Sequence, residues 1–289
     1  MHVHRNGSKL IVTVVMGIFS LIMLFPFLLM LLTSLKTMKE VLAPRFILFP
    51  SELVWHNFAE AMTRGNWPRY FFNSVYVTAI TVIVSLLFNS LAGYAFSRLR
   101  FRGRDMLFLI TLIGLMIPPQ VNMLPVFVIL KNIPLAGGNN LLGRGGTGWL
   151  DSYMGLIAPY VAGSFGVFLF RQFFLNFPKA LDDAALIDGL GKVRIFFRIY
   201  VPLSTPVIAT LIALKSTHTW NEFTWPLIII NSDKMKTVQL ALTAFKAETT
   251  VEWNLLMAAT TLTILPLVIT FLSAQRYFIQ GIVTTGIKG

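Results

Sequence analysis

The chain has 289 residues, of which 55% are hydrophobic and 12% charged, with a mean hydropathy of +0.71. A soluble domain carries about a quarter charged residues, so the composition excludes one and points to the membrane class. The net charge of +12 comes from Lys and Arg at the ends of apolar runs, which is a topology pattern and excludes nucleic-acid binding; the lack of cysteine excludes a disulfide scaffold or thiolate metal site.

In chain order, residues 1–9 are a short polar start. Uncharged runs of membrane-crossing length, about 20 residues, follow at Leu10–Leu35, Tyr70–Ser97, Met106–Leu130, Ser152–Phe170 and Trp253–Gln275. The first is too long for a signal-peptide core and lacks a small-residue cleavage site, so it is a retained span. A further apolar stretch from Val201 meets Lys215 early but stays helix-compatible to Trp225. The expected architecture is therefore all-α, with six transmembrane helices at about 10–35, 70–97, 106–130, 152–172, 202–225 and 253–275. With the N-terminus inside, the inner segments hold 13 Lys and Arg in 65 positions and the outer segments 10 in 91. The cluster Arg98, Arg100, Arg102 and Arg104 leads that bias, so both termini, including a tail at 276–289, are expected in the cytoplasm.

Pro118-Pro119-Gln120 and then Pro125 interrupt the third run. Each proline removes a backbone donor, so a broken or kinked helix is expected. Two readings stand: a kink packed against neighbours, or a cavity wall faced by Gln120 and Asn122. Between the third and fourth runs, Gly143-Arg144-Gly145-Gly146-Thr147-Gly148 fits G-x-G-x-x-G, but no strand precedes it; it is read as a flexible surface loop.

Residues 171–202 form the longest inner connector. Asp182 and Asp183 suit a helix start. Leu181, Ala184, Ala185 and Asp188 share one helical face, and Gly189 and Gly191 permit a reversal. Val193, Phe196, Phe197 and Tyr200 form an aromatic face on a second short helix, and Pro202 leads into the fifth span. This spacing describes a compact two-helix knob that docks into another protein; an amphipathic hairpin lying on the bilayer is the other reading. Gly189-Leu190-Gly191-Lys192 lacks the Ser or Thr of a phosphate loop, so no nucleotide site is read here.

The fifth span is the most polar. Lys215, His218, Thr219 and Glu222 fall on one face, with Asn221 beside them, and charges at that depth cost at least about 2.5 kcal/mol each. They either pair internally, Lys215 or His218 with Glu222, or line a transport route. No nucleophile–base or metal constellation occurs, so an enzyme is not expected.

Asp183-Ala184-Ala185, Gly189, and Ile199-Tyr200-Val201-Pro202 resemble the EAA loop of permease subunits from binding-protein-dependent ABC importers. Asp183 replaces the usual Glu, Leu190 an Ala and Val201 a Leu. Gly93-Tyr94-Ala95-Phe96-Ser97-Arg98, Trp220-Asn221-Glu222-Phe223 through Trp225-Pro226-Leu227, and the Gln275-Arg276-Tyr277-Phe278 tail are similar to the shorter, maltose-transporter-G-like member of carbohydrate-uptake pairs. The resemblance implies a multi-pass protein of the bacterial or archaeal cytoplasmic membrane that moves a sugar, polyol or sugar phosphate by alternating access. It implies four kinds of partner: a second permease subunit, two copies of an ATPase carrying ATP and Mg, an extracytoplasmic sugar-binding protein, and the lipid bilayer. This chain would bind no cofactor itself. The implied ATPase-coupling residues are Asp183, Ala184, Ala185, Asp188, Gly189, Gly191, Phe196, Phe197 and Pro202; Lys234 and Trp253 in the outer loop would meet the binding protein. A stand-alone ion-coupled secondary transporter is the rival reading, which the broken third span and Lys215, His218 and Glu222 would suit.

Overall fold

The computed structural model describes residues 3–246 and 250–285; the end of the tail, 286–289, lies outside the described residues. Helices dominate, and among the described residues the only β pairing is a single antiparallel bridge between Lys246 and Val251.

Three helices are long and apolar enough to cross a bilayer: Val12–Ser34, Trp67–Arg98 and Trp253–Ser273, the last within the longer helix Trp253–Thr285. Two bent pairs pass the same test together, Tyr153–Tyr160 with Ser164–Leu175 at 44° and Lys192–Leu203 with Thr205–Asn221 at 77°. On length and apolarity the described residues thus hold three crossings, or five counting each bent pair, against the six expected. The difference lies in the third run, which is two helices, Arg104–Ile113 and Pro119–Lys131. At 1.5 Å rise per residue neither reaches the roughly 30 Å of a hydrocarbon core. The break follows from Pro119, which pushes the preceding residue out of helical backbone; Pro118 sits at φ −57°, ψ 134°.

The chain divides into two units. The first takes in residues 1–67 and 241–265. Its organising residue is buried Asn57, whose amide donates at 2.8 Å to the carbonyls of both Ser34 and Lys36, and whose oxygen accepts from Asn254 at 3.2 Å. The helix end at Ser34 is closed by these donors, because its last carbonyls have no intrahelical partner. Segment 36–55 folds back on this end. Val54 N–H donates to the Leu35 carbonyl at 2.9 Å, and buried Lys36 donates to the Ile47 carbonyl at 2.5 Å. Thr37 and Glu40 form a reciprocal capping box on the turn Met38–Val41, and Glu40 also accepts from the Ser51 backbone at 2.9 Å and from its hydroxyl. These donors, the Ser51 hydroxyl first, hold the Glu40 carboxyl down at about 2.

The second unit takes in residues 68–240 and 266–289. It has two apolar clusters. One gathers Val77, Leu130, Leu156, Trp225, Ile229 and Met235; the other, under the connector, gathers Tyr94, Phe170, Phe174, Phe196 and Tyr200.

The glycine-rich stretch 131–153 departs from the flexible loop that composition suggests. It folds around Asn139, which is buried. The Asn139 amide donates to the carbonyls of Lys131 at 2.8 Å and Ile133 at 2.9 Å, and its oxygen accepts from Gly146 N–H at 2.7 Å. Trp149 N–H donates to the Leu130 carbonyl and Thr147 N–H to that of Gly137, both at 2.9 Å. The glycines serve close backbone approach: a Cβ on Gly143 or Gly148 would meet a carbonyl oxygen at 2.1 Å. Composition could not distinguish glycine used for freedom from glycine used for contact.

Candidate functional site

The connector is built as a helix, a tight reversal and a second helix. Pro178 sits in the opening turn, and Ala180–Ile187 follows with Asp182 and Asp183 in its first turn, where carboxylates favour the positive helix end. It stops in a Schellman motif. Leu190 N–H donates to the Ala185 carbonyl at 2.9 Å, Gly189 N–H donates to that of Leu186 at 3.0 Å, and Gly189 takes φ +76°. Leu190 packs against the same apolar cluster that holds Ala185, which supplies the hydrophobic contact of that motif. Gly191 is extended at φ −73°, ψ 157°, a conformation open to any residue, so only Gly189 is demanded by the backbone.

The second helix, Lys192–Leu203, contains a π turn at Phe196–Tyr200 and then bends by 77° into Thr205–Asn221. Pro202, expected to lead into the fifth span, sits at this bend together with Pro206. Pro206 cannot donate to the Pro202 carbonyl, and the Thr205 hydroxyl does so instead at 3.0 Å.

One side of this hairpin belongs to the protein's own core. Ala185, Ile195, Phe196 and Tyr200 are buried there, and the Tyr94 hydroxyl donates to the Lys192 carbonyl at 3.2 Å. The other side is open. It presents Asp183, Ala184, Leu186, Ile187, Asp188, Gly189 and Gly191, followed by Val193 and Phe197, with Ile187 86% exposed. The coupling set read from the sequence is therefore divided. Ala185 and Phe196 face inward and fix the hairpin; Asp183, Ala184, Asp188, Gly189, Gly191, Phe197 and Pro202 remain accessible. Phe196 at 1% exposure cannot anchor a docking partner, and the expected shared aromatic face of Val193, Phe196, Phe197 and Tyr200 does not form. The core edge runs between the two pairs: Phe196 and Tyr200, one turn apart, pack inward with Ile195, while Val193 and Phe197, one turn apart, lie outside.

A residue group the sequence reading did not assemble holds the hairpin in place. The Arg98 guanidinium meets the Asp182 carboxylate at 3.2 Å, and the two side chains are 8% and 21% exposed. Its other nitrogen donates to the carbonyls of Phe174 and Phe177, the second at 2.6 Å, closing the end of helix Ser164–Leu175. Its face lies 5.3 Å from the Tyr200 ring centre. Tyr200 in turn donates to both Asp182 oxygens, at 2.8 and 2.9 Å. Four segments meet at one guanidinium. The charge count treats Arg98 as one more inner-facing cation; only its 84-residue partner separation, invisible to any local pattern, sets it apart.

The polar face of the fifth run is organised by a residue outside it. Lys215 Nζ lies 5.8 Å from the Tyr160 ring centre, the His218 ring lies 5.6 Å from it, and the Tyr160 hydroxyl is close enough to the Glu222 carboxylate to interact with it electrostatically. The direct pairs of the packing alternative do not form: Lys215 and His218 make no ion pair with Glu222. Tyr160 stands between them. Glu222 also accepts from Trp225 N–H at 3.0 Å, and so opens the next helix, Thr224–Ile229. Asn221 is exposed; it donates to the Thr217 carbonyl at 2.9 Å and accepts from Gln239 at 3.2 Å. Gln120 and Asn122 are exposed near the start of Pro119–Lys131, and no hydrogen bond joins them to the Tyr160 group.

Lys234 and Trp253 fall in different units. The Lys234 side chain is exposed, while its carbonyl accepts from Arg69 at 3.3 Å and Asn73 at 2.9 Å. Asn73 also donates to the Lys236 carbonyl at 2.8 Å and accepts from the Tyr153 hydroxyl at 2.6 Å, so segment 233–236 is held chiefly by the buried Asn73 side chain. Trp253 is 41% exposed at the start of its helix. Among the described residues no group of three or more His, Asp or Glu is placed to hold a metal.

With this geometry in hand, the chain can be set beside known proteins. The profile of the family described as "Binding-protein-dependent transport system inner membrane component" matches residues 89–284. The arabinooligosaccharides transport system permease protein AraQ of Halalkalibacterium halodurans is 35% identical over 282 residues, covering 96% of both chains. A crystal structure of a bacterial ABC transporter involved in the import of the acidic polysaccharide alginate superposes with a TM-score of 0.79 at 21% identity, over 96% of this chain and 99% of that one. A second alginate transporter structure, in complex with a periplasmic protein carrying an alginate pentasaccharide, gives a TM-score of 0.66 at 12% identity, over 95% and 96%.

Proposed function

The chain belongs to the family of binding-protein-dependent transport system inner membrane components, and we propose that it serves as one of two permease subunits in an ATP-driven importer of a sugar or sugar-like solute. Membership of that family, a transport component rather than a catalyst, decides between the two transport readings in favour of the importer. The solute class follows the relatives: AraQ is named for arabino-oligosaccharides, and the similar folds import alginate.

In this reading six crossings place both termini in the cytoplasm of a bacterial or archaeal cell, the third crossing being made by Arg104–Ile113 and Pro119–Lys131 together. A second permease subunit completes the pathway. Two ATPase subunits sit on the cytoplasmic side, ATP and Mg bind to them, and a sugar-binding protein docks on the outer side near Lys234 and Trp253. The observation that carries the reading is the two-sided connector. Its inner side, Ala185, Phe196 and Tyr200, is welded to the helix bundle, while its outer side ends in a glycine-closed reversal with Ile187 uncovered. A rigid element fixed on one side and bare on the other transmits displacement without absorbing it. Asp183, Ala184, Asp188, Gly189, Gly191 and Phe197 would form the contact with the ATPase, and Ala185, Phe196 and Pro202 would pass its motion into Thr205–Asn221. Lys215, His218, Asn221 and Glu222, with Tyr160, and Gln120 and Asn122 on the broken helix, are candidates for the lining of the route.

Reconstitution tests this. The chain co-expressed with its companion subunits should take up sugar in liposomes only with ATP inside and binding protein outside. A cysteine at Ile187 should cross-link to the ATPase subunit, readily scored because the chain has no native cysteine. Uptake by this chain alone, driven by an ion gradient, would overturn the assignment.

A further inference from the structure

Four arginines crowd residues 98–104, and the structure gives them different fates. Arg98 is consumed by Asp182 and the carbonyls around it. Arg104 pairs with its neighbour Asp105, Nε to Oδ1 at 3.0 Å. Arg100 and Arg102 are exposed and, among the described residues, have no hydrogen bond, ion pair or ring contact. Beside them opens a cleft of about 420 Å³ lined by Arg100, Phe101, Gly103, Arg104, Asp105 and Met106. Three arginines within residues 100–104, with Asp105 already paired to one of them, leave this corner strongly positive.

The cleft continues into an apolar surface. Met106, Leu107, Leu109, Ile110 and Ile113 on helix Arg104–Ile113 are all 49–69% exposed. In a membrane protein such a face belongs in hydrocarbon. Met106 lies two residues beyond Arg104, about 3 Å of helical rise. With that face in hydrocarbon, the loop and first turn carrying the unpaired guanidiniums would stand at the depth of lipid phosphates. Charge and apolarity are stacked in the same order as in a phospholipid.

We propose that the Leu99–Gly103 loop and the first turn of Arg104–Ile113 bind the headgroup of an anionic phospholipid, Arg100 and Arg102 holding its phosphate and the Met106–Ile113 face its chains. Basic residues at the ends of membrane helices are attracted to anionic headgroups in this way, and guanidinium offers phosphate a planar, multidentate donor set. The apolar face is what favours a lipid over a free phosphate, which would use the arginines alone.

The test uses the full transporter, permease pair with its ATPase subunits, in nanodiscs of phosphatidylcholine containing phosphatidylglycerol, followed by detergent washing and mass spectrometry of the retained lipid. The native complex should keep phosphatidylglycerol in preference. The double variant R100Q/R102Q should lose that preference by about thirtyfold, two residues at the usual strength of such attractions, while R100K/R102K retains most of it. Equal retention by the native complex and R100Q/R102Q overturns the proposal. So does displacement of the lipid by millimolar inorganic phosphate, which would make this a free-anion site. Loss of the ATPase subunits from R100Q/R102Q would also overturn it, since the patch would then be a protein interface.

Discussion

Arg98 and Asp182, 84 residues apart, form an ion pair of 3.2 Å with Tyr200 hydrogen-bonded to the same carboxylate and facing the same guanidinium. The pair joins the end of helix Trp67–Arg98 to the first turn of the connector. It converts a polar hairpin into an extension of the helix bundle. Desolvating two charges makes such a pair a modest source of net stability but an expensive one to break, because the survivor is left buried without a counter-charge.

Replacing Arg98 by Met should therefore lower stability by about 3 kcal/mol, and it should also free the Phe174 and Phe177 carbonyls. R98M combined with Asp182→Leu should cost less than R98M alone. Thermal unfolding of the detergent-solubilised transporter across the four combinations measures this coupling; strictly additive losses would mean that the two residues act separately.

Gly189 should tolerate no β-branched residue. A Cβ there meets nothing within 4 Å, so the cost of Gly189→Val comes from φ +76° alone, on the order of 1–3 kcal/mol of local strain. G189V should insert and assemble normally, yet show ATP hydrolysis with sugar uptake reduced tenfold or more. Gly191→Ala, at an ordinary extended backbone, should leave both rates near native. The ratio of uptake to hydrolysis in proteoliposomes separates the two.

Tyr160 should govern the polar group on helix Thr205–Asn221. Tyr160→Phe keeps the ring beside Lys215 and His218 but removes the hydroxyl from Glu222. It and Lys215→Met should each slow uptake severalfold with little change in melting temperature, if the group lines the route. A fall in melting temperature with unchanged uptake would assign the group to packing.

Asn139→Ala should loosen the 131–153 loop. It removes two donors and one acceptor from a buried site, leaving carbonyls and an N–H without partners, at a cost of roughly 1–3 kcal/mol. Hydrogen exchange across 135–148 should rise sharply while exchange in Trp67–Arg98 stays as it was.

The fold-back of segment 36–55 should be acid-sensitive through Glu40. Its folded carboxyl is held at about 2, below the ordinary 4.5, so its contribution is complete above about pH 4.5 and is lost as pH falls towards 2. Limited proteolysis of this segment should increase over that window in the native chain. Glu40→Gln should show no such pH dependence.

The sequence by itself determined the membrane class, the break at Pro118-Pro119, the helix–reversal–helix plan of the connector and its glycine. These depend on composition and on residues within four of each other, where helix period, proline and left-handed glycine act locally. Tertiary structure alone decided which side of the connector is bare, because the cluster of Tyr94, Phe170 and Phe174 covers Phe196 and Tyr200 and leaves Ile187, Val193 and Phe197 outside. It alone made Arg98 a clasp and left Arg100 and Arg102 without a partner among the described residues, although all three read alike as inner-facing charge. It also turned a glycine-rich loop into a folded one and set Tyr160 among Lys215, His218 and Glu222. In each case the deciding partner is distant in the chain, and a guanidinium's partner or a glycine's neighbouring carbonyl exists only once the helices have packed.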